Sequence, residues 1–295
     1  MTRDHPLLPY AVTLAAVGLF SLMDALMKGA ALAAGAYSAL LLRNLFGLAL
    51  VAPVWLAKRS GWPTRAAMRV HVVRGFVAAA MAFTFFWGIA RVPLAEGIAL
   101  SFVAPLVALY LAALLLKERI EPGAIAASVL GFAGVLVILG GQAEAGLGPE
   151  AFAGAAAILV SAILYAYNIV LMRRQALVAG PVEIAFFMSL IMTACFALAA
   201  PFLAFVPEVE HVPALAGAAL LAFVSLMLLS WAYARAEAQH LAPVEYTAFI
   251  WASLFGFLLF GEAVRPPTLV GAAMIVGACL MAARRRPVPV AEAAP

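Results

Sequence analysis

Residues 86–136 read FWGIARVPLAEGIALSFVAPLVALYLAALLLKERIEPGAIAASVLGFAGVL. The stretch returns, altered, 144 positions later: Trp87 falls on Trp231, Arg91 on Arg235, Glu118 on Glu262 and Pro122 on Pro266. Over residues 84–136 against 228–280, ten of 53 positions are identical without a gap. Six of those are Ala or Leu and weigh little in a chain so rich in both. The Trp, Arg, Glu and Pro matches carry the argument. Each copy is an apolar helix ending in Trp-x-x-Ala-Arg, a short polar break, a second apolar helix ending at Glu, and a Pro that opens a third. A duplication of this size sets the architecture.

Composition names the solvent. The 295 residues are 67% hydrophobic and only 11% charged, against about 25% charged in a soluble domain. Lipid is the alternative, and about 20 apolar residues cross it as one helix. The net charge of +4 resides at segment ends and not in a patch, which argues against nucleic acid. Cys195 and Cys279 lie inside apolar segments, and the four histidines lack ligand spacing, so no metal or cofactor is expected. The first apolar run contains Ala31-Leu32-Ala33, a cleavage-like pattern, but its length, Asp24 and Lys28 mark a retained helix.

Ten spans are predicted: 8–28, 36–57, 69–89, 93–116, 122–141, 151–172, 181–201, 214–236, 240–260 and 266–283. They divide into a first five-helix unit, residues 1–141, and a second, residues 142–286; the Pro/Ala-rich tail 287–295 reads as a disordered cytoplasmic extension. With the N-terminus inside, thirteen basic residues fall at cytoplasmic ends and three (Lys28, Arg91, Arg265) at outer loops, which fixes both termini inside. Five is odd, so the second unit enters the membrane upside down. The expected fold class is an all-α integral membrane protein of ten transmembrane helices in two inverted repeats, a plan suited to alternating access.

Charges inside spans need a reason, because each costs at least about 2.5–3.5 kcal/mol near mid-helix. Asp24 and Arg43 lie at comparable depth on adjacent spans and could pair, with Lys28 competing for Asp24 at i+4. Glu118 and Glu262 read as caps facing the helix that follows each. His71, Arg74 and Glu183 read as snorkelling groups at cytoplasmic ends; Glu245 is either a proton site or an interfacial carboxylate. Pro105 and Pro243 interrupt spans 4 and 9 and free the carbonyls of Ser101 and Gln239. Trp55 and Trp62 read as interfacial belts. Phe83, Trp87, Phe102, Tyr165, Tyr246 and Trp251 lie in central spans, and Asn168 shares a face of span 6 with Tyr165 and Ser161. Small residues at 123, 127, 131 and at 273, 277 mark spans 5 and 10 as scaffold and a possible dimer surface.

These features resemble the drug/metabolite transporter superfamily, in particular its EamA-type ten-helix members. The resemblance is carried by Pro105 followed by Lys117-Glu118-Arg119 and a Gly-rich span 5, by Gly261-Glu262 followed by the Gly271/Gly277 helix, and by Phe20 to Lys28 with Arg43-Asn44. It implies a central cavity lined by spans 1, 3, 4, 6, 8 and 9. It also implies a small-molecule exporter of the bacterial inner membrane, closest to carriers of amino acids including aromatic ones, acting as monomer or homodimer. Asp24, Arg43, Ser101 and Asn168 would then hold a charged head, and the aromatic residues an apolar side chain. Uptake of a cofactor-like metabolite of riboflavin or S-adenosylmethionine type is the alternative. An intramembrane enzyme is disfavoured, since no nucleophile–base pair or HExxH motif is present.

Overall fold

The computed structural model describes residues 7–57, 61–116, 122–146, 148–204, 211–236 and 238–283. Glu118, most of the cytoplasmic basic residues and the tail from 287 lie outside the described residues. Eleven helices follow in order: α1 (Leu8–Ala57), α2 (Arg65–Ile89), α3 (Leu94–Ser101), α4 (Ala104–Leu116), α5 (Pro122–Glu144), α6 (Pro149–Ala176), α7 (Pro181–Leu203), α8 (Val212–Tyr233), α9 (Ala238–Glu245), α10 (Ala248–Phe260) and α11 (Pro266–Ala283). No strand occurs among the described residues. Among the described residues, seven helical stretches are long and apolar enough to cross a membrane. The reason is the solvent: in hydrocarbon every backbone N–H and C=O must be satisfied within its own segment, and a helix does this.

α1 is not one rod. Fifty residues of straight helix would run about 75 Å, more than twice the hydrocarbon thickness. Gly35, at φ 78° and ψ 147°, breaks it in a conformation that a Cβ disfavours. The first segment therefore continues six residues past the predicted end at 28, to Ala34, and carries Lys28 inside a helix and not in an outer loop.

Spans 4 and 9 are each two helices. The break at Phe102–Val103 precedes Pro105, which becomes the second residue of α4, where its missing N–H costs no helical bond. This corrects the expectation of a mid-span proline kink. The break at Tyr246–Thr247 follows Pro243. Both bounds of α9 and of α10 are those of α3 and α4 advanced by 144 positions. The repeated Trp-x-x-Ala-Arg also acquires a cause. At the end of α2 the Arg91 guanidinium folds back 3.6 Å over the Trp87 ring and donates to the Trp87 carbonyl. Arg235 does the same at the end of α8, 4.1 Å over Trp231. A cation four residues after the ring satisfies a terminal carbonyl and the ring face together.

The principal packing partners are α1 with α8 and α7, α2 with α6 and α7, and α5 with α11. The core is dominated by alanine at these crossings, among them Ala25, Ala39, Ala155 and Ala218. Lipid tails are as apolar as the helices, so close approach and dispersion replace the hydrophobic drive. At the α5–α11 crossing the two backbones themselves approach closely. A Cβ on Gly134 would lie 2.7 Å from the Gly271 carbonyl oxygen, and one on Gly271 would lie 2.6 Å from that of Gly134. The expected stripe at 273 and 277 is not the contact: Ala273 is exposed and Gly277 has no neighbour within 4 Å of a Cβ. Gly134→Leu is expected to destabilise by about 1–3 kcal/mol or more and Gly277→Leu to be tolerated, read as melting temperature and size-exclusion profile in detergent.

Candidate functional site

One end of the bundle is closed by charge. α10 is capped by Gly261 in the left-handed region, and the next residue, Glu262, reaches into the first half of the chain. One Glu262 carboxylate oxygen pairs with Lys28 Nζ, and the other accepts the Leu94 amide at 2.7 Å. Lys28, 3% exposed, also donates to the Val92 carbonyl at 2.7 Å. Glu262 thus serves the N-terminus of α3, where a negative charge meets unsatisfied amides. The expectation that it caps the following helix is corrected, as is that of Lys28 competing for Asp24. An ammonium removed from water gains more from a carboxylate and a carbonyl together than from either alone.

A second bridge lies beside the first. Glu96, 2% exposed, pairs with Arg265 and accepts from Gln142 Nε2 at 2.8 Å and Thr268 Oγ1 at 3.0 Å. Arg265 also donates to the Gly141 carbonyl at 3.1 Å. Glu96, Gln142 and Thr268 were not among the residues singled out from sequence. Glu96 follows Pro93 by three in an otherwise apolar span, and the rule that selected Asp24 would have selected it.

The ten residues expected to bind substrate are distributed as follows. Asp24 is buried and Arg43 is half-buried. Arg43 Nε has no hydrogen-bond partner among the described residues. Phe102 meets Tyr246 edge to face at 5.1 Å, so the two helix breaks touch through equivalent residues of the repeat. Phe83 packs edge-on against Tyr37, which in turn meets Phe196. Trp87 lies under Arg91. Trp251 stacks on Phe255, and Gly18 leaves room for its ring. The Ser101 hydroxyl bonds back to Ile98. Tyr165 is 46% exposed, whereas Asn168, expected on the same wall, is buried and accepts from Arg74 Nε at 3.1 Å.

The opposite end holds a polar network where snorkelling was expected. His71, fully buried, lies 3.0 Å from Glu183 and 2.6 Å from Gln175, and Gln175 also accepts from Arg74. A group that reaches out to water needs no such partners; His71 meets Glu183 directly and Arg74 through Gln175 because α2, α6 and α7 pack there. Trp55 is likewise no belt residue. It is 7% exposed and stacks on Phe186 at 4.3 Å, while Trp62 remains exposed.

The sequence matches the profile of the EamA-like transporter family twice, over residues 7–140 and 152–284. Among characterised and uncharacterised relatives, it is 30% identical over 247 residues to a riboflavin transporter of Rhizobium johnstonii, covering 81% of this chain and 78% of that one. It is 29% identical over 210 residues to an uncharacterised transporter of Helicobacter pylori, covering 68% of each. It is 26% identical over 278 residues to the pseudopaline exporter CntI of Pseudomonas aeruginosa, covering 90% and 93%. A solved crystal structure at 23% identity shares the fold, with a TM-score of 0.62 over 94% of this chain and 99% of that one. With apolar helices fit to cross a bilayer, charge bridges joining distant parts of the chain and a family match over nearly all its length, this chain belongs to the EamA-like transporter family.

Proposed function

We propose that the chain crosses the bacterial inner membrane ten times with both termini in the cytoplasm, as two inverted five-helix halves, and exports small metabolites, amino acids including aromatic ones foremost. The observation that carries this reading is the contact of Phe102 with Tyr246. These residues occupy the same register in the two copies, each at a helix break, and two equivalent points meet only on the axis that relates the copies. Discontinuous helices meeting at such an axis are a recurring place for substrate. The paired family matches support the division into halves, and so does the packing. Exchanging the halves turns the α1–α8 contact into that of α6 with α2 and leaves α5–α11 unchanged.

Substrate would bind between the halves. Asp24 and Arg43 offer opposite charges for a zwitterionic head, with Ser101 and Asn168 as polar neighbours. Phe83, Trp87, Phe102, Tyr165, Tyr246 and Trp251 offer ring surface for an apolar side chain. The Lys28–Glu262 and Glu96–Arg265 bridges support a state closed at the outer end. Rocking of one half against the other would separate these charges and open that end. A cofactor-like substrate is the second reading, favoured by the 30% identity to a riboflavin transporter.

Four measurements test the proposal. Proteoliposomes supplied with labelled phenylalanine, tryptophan or riboflavin, with and without a pH gradient, are expected to carry the amino acids; carriage of riboflavin alone would overturn the amino-acid assignment. Asp24→Asn and Arg43→Gln are each expected to lower that flux about tenfold or more, the loss of one charge-assisted contact. Cysteines at equivalent positions, Arg119→Cys and Ala263→Cys, are expected to react with impermeant maleimide from opposite faces. Lys28→Met is expected to expose Ala252→Cys, which lines the same small void as Glu96 and Glu262, to outside label; an unchanged rate would refute the bridge as a closure.

A further inference from the structure

The polar network at the end away from the charge bridges admits a single arrangement of protons. The Arg74 guanidinium carries donors only, so the Gln175 side-chain oxygen must face it. Gln175 Nε2 then points the other way and lies 2.6 Å from His71 Nδ1. A ring nitrogen that accepts an N–H carries no proton of its own. His71 is therefore neutral, and its one proton sits on Nε2, which donates to Glu183 Oε1 at 3.0 Å. Turning the Gln175 amide over brings its amino group against the guanidinium, donor against donor. Asn168 holds that guanidinium from its other side, accepting from Nε at 3.1 Å.

A second proton on the imidazole goes to Nδ1, where it meets the Gln175 donor. Either the His71–Gln175 or the Gln175–Arg74 bond must then break, and both join α2 to α6. The contacts to α7 gain instead. Glu183 becomes the counter-charge of an imidazolium, and Phe187, stacked on the ring at 5.0 Å and 17°, offers its π face. Charge points the same way. Arg74 and Glu183 balance while His71 is neutral, and one more proton leaves a net positive charge around a fully buried ring. Water admitted between α2 and α6 relieves that cost. The charged groups brought to His71 by these contacts are Arg74 of its own helix and Glu183 of α7. α6 contributes only the amides of Gln175 and Asn168, and α1 reaches Phe187 with the Trp55 ring. Glu183 lies in the first turn of α7, where the helix N-terminus favours its charge, so the ring takes the proton.

We infer that His71 is a proton-binding site that transfers the attachment of α2 from α6 to α7 when it is occupied. The inference goes beyond the transport reading and needs no particular substrate. It gives the protein a means of feeling the pH at this end of the bundle.

The test uses spin-label distances on the full-length chain in lipid nanodiscs, with Cys195→Ala and Cys279→Ala as background. Ala66→Cys with Leu177→Cys reports α2 against α6, and Ala66→Cys with Ala185→Cys reports α2 against α7; all three positions are exposed. Between about pH 8 and about pH 5, where imidazole titrates, the α2–α6 pair is expected to move to a longer distance while the α2–α7 pair stays. The population ratio should shift about fivefold or more, the effect of one hydrogen bond. Ring-nitrogen NMR, with the His71 signals identified by their loss in His71→Gln, should show Nε2–H alone at the upper pH and both nitrogens protonated at the lower. His71→Gln, whose amide can face Gln175 and Glu183 as the neutral ring does, is expected to abolish the shift. Gln175→Glu, whose carboxylate accepts from Arg74 and an imidazolium alike, should keep the α2–α6 pair short with His71 protonated. Melting temperatures report folding, and if His71→Gln fails to fold, Gln175→Glu alone decides. A His71 that stays neutral at the lower pH, an α2–α6 distance indifferent to its protonation, or a shift that survives in either variant overturns the switch. The distances are taken without substrate, so their failure leaves the export reading standing, and an absence of flux leaves the switch standing.

Discussion

The carboxylate of Glu262 holds two distant parts of the chain at once. It takes the Lys28 ammonium on one oxygen and the first amide of α3 on the other. In a medium of low dielectric neither charge is tolerable alone, and breaking such a pair costs about 3–5 kcal/mol. The bridge is therefore a stringent constraint on how the second half docks on the first. Glu96 and Arg265 repeat the device alongside it, with Gln142 and Thr268 occupying most of the remaining acceptor capacity of Glu96.

Everything between the bridges and the opposite end is held by weaker means. Alanine and glycine crossings bring backbones into contact without locking side chains, as at Gly134 and Gly271. Helices packed in this way are held by dispersion between closely approaching backbones. The breaks at Phe102 and Tyr246 set off two short segments, α3 and α9. The His71–Glu183–Gln175–Arg74 network fixes α2, α6 and α7 to one another at the far end.

Much of this was legible in the chain. Several helix boundaries followed from Pro, Gly and charge, because lipid-spanning helices need long uninterrupted apolar runs; the end of the first segment and the breaks within spans 4 and 9 did not. The repeat was legible because Trp-x-x-Ala-Arg is a self-contained contact within five residues. Other readings failed for one shared reason. Lys28 was assigned to a loop and to Asp24, Trp55 to the interface, and Arg74 and His71 to snorkelling, each by its position along its own helix. Their partners lie 64 to 234 residues away in the contacts made by Lys28, and 94 to 112 residues away in those of Arg74 and His71. No periodicity within one segment encodes such a partner.

The sequence by itself determined the solvent, the helical class, the family resemblance and the duplication, because composition, segment length and short-range spacing are local properties. Only the tertiary structure decided which charges meet and which glycines touch. Pairing in a low-dielectric interior depends on which helices become neighbours, and that is settled by the packing of the whole bundle.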